Sequence, residues 1–190
     1  WFGESKVVDD EGQPLVVYHG TAEDFDAPGR PFFWVARSPI LASEYADIRG
    51  YAAKGGESVL PLYVRATRPF DADALPGSMT PNEFVAQVLK QVEDVETLRP
   101  QRDRFQAIRQ RILNGRAEQS GGSLGPVRRN SYWLESEYFF GEDGASAIRE
   151  LFELAGFDSL RLTEQGEETF AVFDPAQVKS VFNRGTFDPQ

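Results

Sequence analysis

Pro14-Leu15-Val16-Val17-Tyr18-His19-Gly20-Thr21 is the stretch from which the rest of the chain can be read. A run of apolar and aromatic residues, bounded by Pro and Gly, reads as a buried strand. It carries the chain's only histidine, His19, to the strand's end. Gly20 follows, a residue without Cβ that lets another group approach the backbone closely. Taken alone, a solitary histidine at a strand end is more often a satisfied structural residue than a reactive one. The remaining sequence decides between the two readings.

At 190 residues with 41% hydrophobic and 26% charged residues, the chain predicts one folded domain over 1–190. No apolar run approaches the ~18 residues of a membrane span. The chain opens on Trp1-Phe2-Gly3 without an initiator Met, which reads as a domain within a larger parent chain. With no cysteine and one histidine, there is no thiol nucleophile, no disulfide and little from which to build a metal site. A net charge of −10 argues against a general nucleic-acid-binding surface. The charge is uneven, however. Arg99, Arg102, Arg104, Arg109, Arg111, Arg116, Arg128 and Arg129 face only Asp103 and Glu118 within 99–130. Such a segment is either a solvated helix face or an interaction surface.

Outward from the opening strand, Phe32 to Ala36 reads as a second apolar strand. Ser38-Pro39 starts a helix to Gly50, an N-cap with Pro at the first helical position, presenting Ile40, Leu41, Tyr45 and Ile48 on one face. Gly55-Gly56 breaks the chain before a strand over Ser58–Thr67. Thr80-Pro81 caps a helix running to about Thr97, and a basic helix follows Pro100. The stretch 120–126 is a Gly/Ser loop, so 80–130 reads as a helical insertion. Tyr132–Phe140 alternates aromatics and reads as sheet. Ser146–Ala155 is a helix stopped by Gly156. Ser159–Thr163 and Thr169–Phe173 read as strands of a hairpin, with Glu164–Glu168 as its loop. Strands, helices, then strands predict an α+β fold of mixed or antiparallel sheets with flanking helices. Neither a G-x-G-x-x-G turn nor a G-x-x-x-x-G-K-[ST] loop is present, which removes the usual phosphate cradles.

Three pieces remain: Tyr18-His19-Gly20-Thr21; Trp34 and Tyr45, eleven residues apart on a strand and the next helix; and the acidic lead-in Glu167-Glu168-Thr169-Phe170-Ala171-Val172-Phe173-Asp174-Pro175. At these residues the chain resembles the diphtheria-toxin-like ADP-ribosyltransferases and poly(ADP-ribose) polymerases. With Trp1-Phe2-Gly3-Glu4-Ser5-Lys6-Val7-Val8 and the ending Gln177-Val178-Lys179-Ser180, then Asn183 to Pro189, it is similar to the ADP-ribosyltransferase domains of bacterial mobile-element polyvalent proteins. The likeness covers 1–67 and 150–190.

The resemblance implies a pair of sheets forming a cleft for NAD, the substrate. Gly20 would hold the nicotinamide amide, and His19 a ribose hydroxyl with Thr21 nearby. Trp34 and Tyr45 would enclose the cationic ring with their π-faces, and Arg37 would pair with pyrophosphate. A carboxylate would stabilise the oxocarbenium-like sugar and orient the nucleophile. Trp34 stands where the superfamily usually has Tyr. The superfamily's glutamate position falls on Thr169, which leaves Glu167 or Glu168 first, then Glu164 from the preceding loop, to supply the acid. In a strand Glu167 shares the face of Thr169, and Glu168 points away unless a bulge intervenes. The implied activity is mono-ADP-ribosylation of a protein or nucleic-acid acceptor, gripped by the Arg-rich 99–130 segment. The setting implied is a toxin, effector or phage-associated modifier, soluble in the bacterial cytoplasm or delivered into a target cell, with an immunity protein as a possible partner. The alternatives are an inactive NAD- or partner-binding module of the same fold and an RNA 2′-phosphotransferase-like enzyme.

Overall fold

In the computed structural model the described residues are 1–21, 32–50, 58–92, 95–122, 126–130, 134 and 137–182. The expected loop at 22–31, the Gly55-Gly56 break, the middle of the 120–126 loop and the 183–189 ending lie outside them. The chain divides into two compact units, Trp1–Pro69 with Thr163–Gln190, and Phe70–Leu162.

The first unit is built on β1 (Val17–Thr21), β2 (Phe33–Ala36), β3 (Ser58–Val64), β8 (Glu167–Val172) and β9 (Val178–Ser180), in the order β8-β2-β1-β3-β9. Each of these pairings is antiparallel. Alternation gives the sheet two apolar faces. On one, Val17, Phe33, Val35, Leu62, Val64, Phe170 and Val172 form the core with Val7 and Ala66. On the other, Ala36 packs with Leu41 and Ala42 of α1 (Pro39–Gly50), joined by Tyr18, Tyr45 and Val59. The buried Ser5 hydroxyl ties the N-terminal segment to the end of β3, donating to the Val64 carbonyl and accepting from the Ala66 amide, at 3.0 and 3.1 Å.

Helix α1 starts as the sequence predicts, with Ser38 Oγ accepting from the Ile40 amide at 3.1 Å. Its buried face differs from the expected one. Ile40 is 72% exposed, while Leu41, Ala42 and Ala46 are buried; the side chain of Ile48 lies outside the description. The alanines are there because α1 rides directly on β1. A Cβ on Gly20 would fall 1.7 Å from the Ala42 carbonyl oxygen and 3.1 Å from the Ala46 nitrogen. Gly20 is therefore required by the helix packed over it.

The second unit opens at the short strand β4 (Pro69–Asp71) and holds α2 (Pro81–Lys90), α3 (Arg102–Gln119), α4 (Glu137–Leu154) and the antiparallel pair β5 (Ser78–Met79) and β6 (Val127–Arg128). Thr80 and Glu83 form a reciprocal capping box at the start of α2. The Glu83 carboxyl lies below the ordinary glutamate range, first because it accepts from the Thr80 amide. This helix ends at Lys90 rather than near Thr97. The next side chain, Gln91, exchanges two hydrogen bonds with the Asp71 backbone, at 2.8 and 3.0 Å, and Val95–Gln101 is a 3₁₀ segment.

Tyr132–Phe140 is not sheet: among the described residues Leu134 and Glu137–Phe140 are helical. The helix expected from Ser146 thus begins nine residues earlier, across a break at Gly141 with φ 66°. The aromatic alternation that reads as sheet is overridden by packing on α3. There Gly115 meets the Phe140 carbonyl so closely that a Cβ would sit 1.9 Å from it. Helix α4 stops in a Schellman motif, with Gly156 at φ 85° and the Phe157 amide on the Phe152 carbonyl at 2.9 Å. The α+β class is the one the sequence predicts.

Candidate active site

The residues that the resemblance assigns to NAD and to the acid all fall in the first unit, and the Arg-rich segment falls in the second. Pairing of β1 with β3 runs through all five residues of β1, whereas pairing with β2 is confined to Tyr18 and Ala36. Beyond that pair a side chain bridges the two strands. His19 Nδ1 donates to the Trp34 carbonyl at 2.7 Å, and the imidazole stacks on Phe33 at 4.2 Å. Because a carbonyl only accepts, the neutral ring carries its proton on Nδ1, which leaves Nε2 as its acceptor nitrogen.

The backbone of Gly20 faces the same parting. Pro61, opposite Tyr18, turns its carbonyl toward the β9 side, where it accepts from the Val181 amide. In an antiparallel ladder both members of a pair bond each other or neither does. Tyr18, and Gly20 two residues on, therefore direct their N–H and C=O toward β2. Thr21 ends the strand opposite Ser58.

Trp34 is 9% exposed, and its indole Nε1 is buried without a hydrogen-bond partner among the described residues. Alternation from Phe33 and Val35 puts its ring on the α1 side of the sheet, and β8 extends that face. Trp34 lies opposite Ala171 and Ala36 opposite Thr169, so Glu167 shares the face with Thr169 and Ala171. Thr169 itself is buried. One Glu167 oxygen, Oε2, is the other buried side-chain polar atom without a partner among the described residues.

Glu168 points the opposite way. It pairs loosely with Arg37 at 4.0 Å, and the Arg37 amide donates to its carbonyl at 3.0 Å. Arg37 is thus engaged with Glu168. Glu164 is engaged too, accepting a hydrogen bond from the Tyr45 hydroxyl. The three acids are strand residues and not loop residues. Strand β7 (Ser159–Glu164) runs into β8 through Gln165 and Gly166 alone, at φ 52° and 81°. Positive φ at both central positions marks a type I′ hairpin turn. Gln165 Nε2 donates to Glu44 Oε2 of α1 at 2.9 Å. Sequence reading missed Glu44 and Gln165. The Gln-Gly dipeptide was the available signal, as a variant of the Asn-Gly turn.

The Arg-rich segment is largely occupied within the second unit. Arg111 bridges Asp143 and Glu150, each at 2.7 Å. Arg99 pairs with Glu96, Arg109 with Asn82, and Arg129 with the Asp73 carbonyl. Arg116 is buried and lies over Phe139. The side chains of Arg102, Arg104 and Arg128 are exposed and form no hydrogen bond or ion pair with another described residue.

The family model described as ADP-ribosyltransferase in polyvalent proteins matches residues 9–187. The chain belongs to this family. No curated protein and no solved structure matches it. The ADP-ribosyltransferase match runs through both units and takes in His19, Trp34, Tyr45 and the Glu164–Thr169 hairpin alike. Among the described residues of this family member, no helix is long and apolar enough to cross a membrane.

Proposed function

We propose that the chain is an NAD-dependent mono-ADP-ribosyltransferase whose acid is Glu167. The observation that carries this reading is the pair of buried polar atoms without a partner among the described residues, Trp34 Nε1 and Glu167 Oε2, on one face of β2 and β8. Buried polar groups are nearly always hydrogen-bonded, so an orphan donor and an orphan acceptor on one face point to a ligand carrying both functions. By strand register their Cα atoms are about 14 Å apart, a span that suits an extended dinucleotide better than a compact ion.

Bound NAD supplies a cationic leaving group on a ribose carbon. The chain's own residues bind and orient. The Gly20 amide and carbonyl, directed into the parting between β1 and β2, suit a carboxamide. His19, fixed by Trp34's carbonyl and by the Phe33 ring on the face of the sheet opposite the Trp34 ring and Glu167, would reach a ribose hydroxyl with Nε2 only through the parting between β1 and β2. Trp34 and Tyr45 supply π-faces for a cationic ring. Glu167, lacking a partner at one oxygen among the described residues, is the carboxylate available to stabilise positive charge and take the acceptor's proton. Glu168, drawn to Arg37, and Glu164, bound to Tyr45, are less available, and Arg37 is correspondingly a weaker candidate for pyrophosphate.

A second reading has its own support. Thr169, at the superfamily's glutamate position, is buried and carries no charge, which suits an NAD-binding module without turnover. Incubation with NAD radiolabelled in the adenylate half separates the two. Nicotinamide release with label transferred to a macromolecule supports the transferase; binding without release supports the module. The acceptor, the toxin, effector or phage-associated setting and any immunity partner follow from the resemblance, and a mass-spectrometric search for ADP-ribose adducts in treated lysate would identify the acceptor.

A further inference from the structure

The hairpin that carries Glu167 is fastened at its tip to helix α1. Glu164, the residue before the turn, accepts from the Tyr45 hydroxyl. Gln165, the first turn residue, donates to Glu44. Among the described residues Gln165 is the only non-glycine with positive φ. That conformation is uncommon outside glycine and is held here by a side chain reaching a different element. Both fastenings come from adjacent residues of one helix, and α1 is itself seated on β1 through the contact at Gly20.

We propose that Tyr45 and Glu164, supported by Glu44 and Gln165, are positioning residues that lock the β7–β8 hairpin to α1 and so fix Glu167. The idea rests on the assignment of Glu167 as the acid. Glu164 acts through its hydrogen bond and not through its charge. The bond also fixes the plane of the Tyr45 ring, so one contact sets both an aromatic wall and a carboxylate. A shift of about 1 Å at a reacting group costs on the order of 10²-fold in rate, so losing the fastening lowers kcat much more than it raises KM.

The test compares Tyr45→Phe, Glu164→Ala and Glu164→Gln by two readouts: NAD-splitting kinetics and hydrogen exchange of the peptide covering 164–168. Tyr45→Phe keeps the ring and removes the donor; Glu164→Gln keeps an acceptor oxygen and removes the charge. The first two variants should each lose on the order of 10²-fold in kcat and no more in combination. Exchange at the hairpin should rise roughly tenfold. Glu164→Gln should recover most of both losses. A Glu164→Gln variant as inactive as Glu164→Ala would make Glu164 itself the reacting carboxylate and overturn the proposal. Unchanged hairpin exchange in Tyr45→Phe would overturn the fastening. Faster exchange with unchanged kcat would overturn its role in the reaction. Absence of NAD splitting in the wild type would instead remove the assignment on which the proposal rests, while the exchange measurement would still decide the fastening.

Discussion

Replacing Gly20 with alanine gives a perturbation whose size can be read from the structure. The new methyl carbon would lie 1.7 Å from the Ala42 oxygen, 2.7 Å from the Ala42 carbonyl carbon and 3.1 Å from the Ala46 nitrogen. All three are backbone atoms of α1, so no side chain can swing aside. Relief requires α1 to retreat by more than about 1 Å, since close-packed interiors have no slack to absorb the overlap. Overpacking costs about 1–3 kcal/mol, and a backbone clash belongs at the upper end, about 3 kcal/mol. For a chain of this size that lowers Tm by roughly 6–12 °C. Tyr45 lies between the two displaced residues of α1 and moves with them, so NAD splitting should also fall on the order of 10²-fold. Thermal melting by circular dichroism and a nicotinamide-release assay read the two effects. Gly77→Ala is the control: a Cβ there meets nothing within 4 Å, and its cost should stay within about 0.5 kcal/mol. A Gly20→Ala protein that melts with the control and keeps its activity would refute the seating of α1 on β1.

Trp34→Phe retains an aromatic face and removes the orphan N–H, so affinity for NAD should weaken about tenfold in calorimetric titration; unchanged affinity would remove the indole from the site. Charge reversal of the exposed pair Arg102 and Arg104 should lower acceptor modification while leaving nicotinamide release unchanged, whereas equal loss of both would contradict a role in gripping the acceptor. The Asp143 carboxyl is held below its ordinary range, first by its hydrogen bond from Arg111. Its stabilising contribution is therefore complete above the unfolded pKa and is lost as the pH falls below about 4. Arg111→Ala should flatten that acid limb in pH-dependent melts, and an unaltered limb would argue that the bridge contributes nothing.

The parts of the fold legible in the sequence are those set by local chemistry. Ser38-Pro39, Thr80-Pro81 and Gly156 mark helix ends because capping and positive φ are satisfied within a few residues. The misread parts depend on distant partners. The hairpin turn reads as a five-residue loop because nothing near Gln165 reveals that Glu44 stands ready to hold it at positive φ. Tyr132–Phe140 reads as sheet because local alternation cannot show that Gly115 leaves room for a second helix at Phe140. At the site, His19, Trp34 and Tyr45 were legible as types at a spacing. Of the three neighbouring acids, strand alternation in the sequence already puts Glu167 on the face of Thr169 and Glu168 on the other, but it does not show what reaches each of them from α1 and Arg37. The arginines teach the same lesson: a basic run looks like one surface until Arg111, Arg116 and Arg129 are found engaged within their own unit.

The most direct measurement is the rate of nicotinamide release from NAD by the wild type and by Glu167→Gln at equal, saturating NAD. The substitution keeps the size of the side chain and removes its charge. If Glu167 is the carboxylate that stabilises the developing cation, release should fall by about 10²–10³-fold while NAD binding and melting temperature hold. Release by Glu167→Gln at the wild-type rate would contradict that assignment.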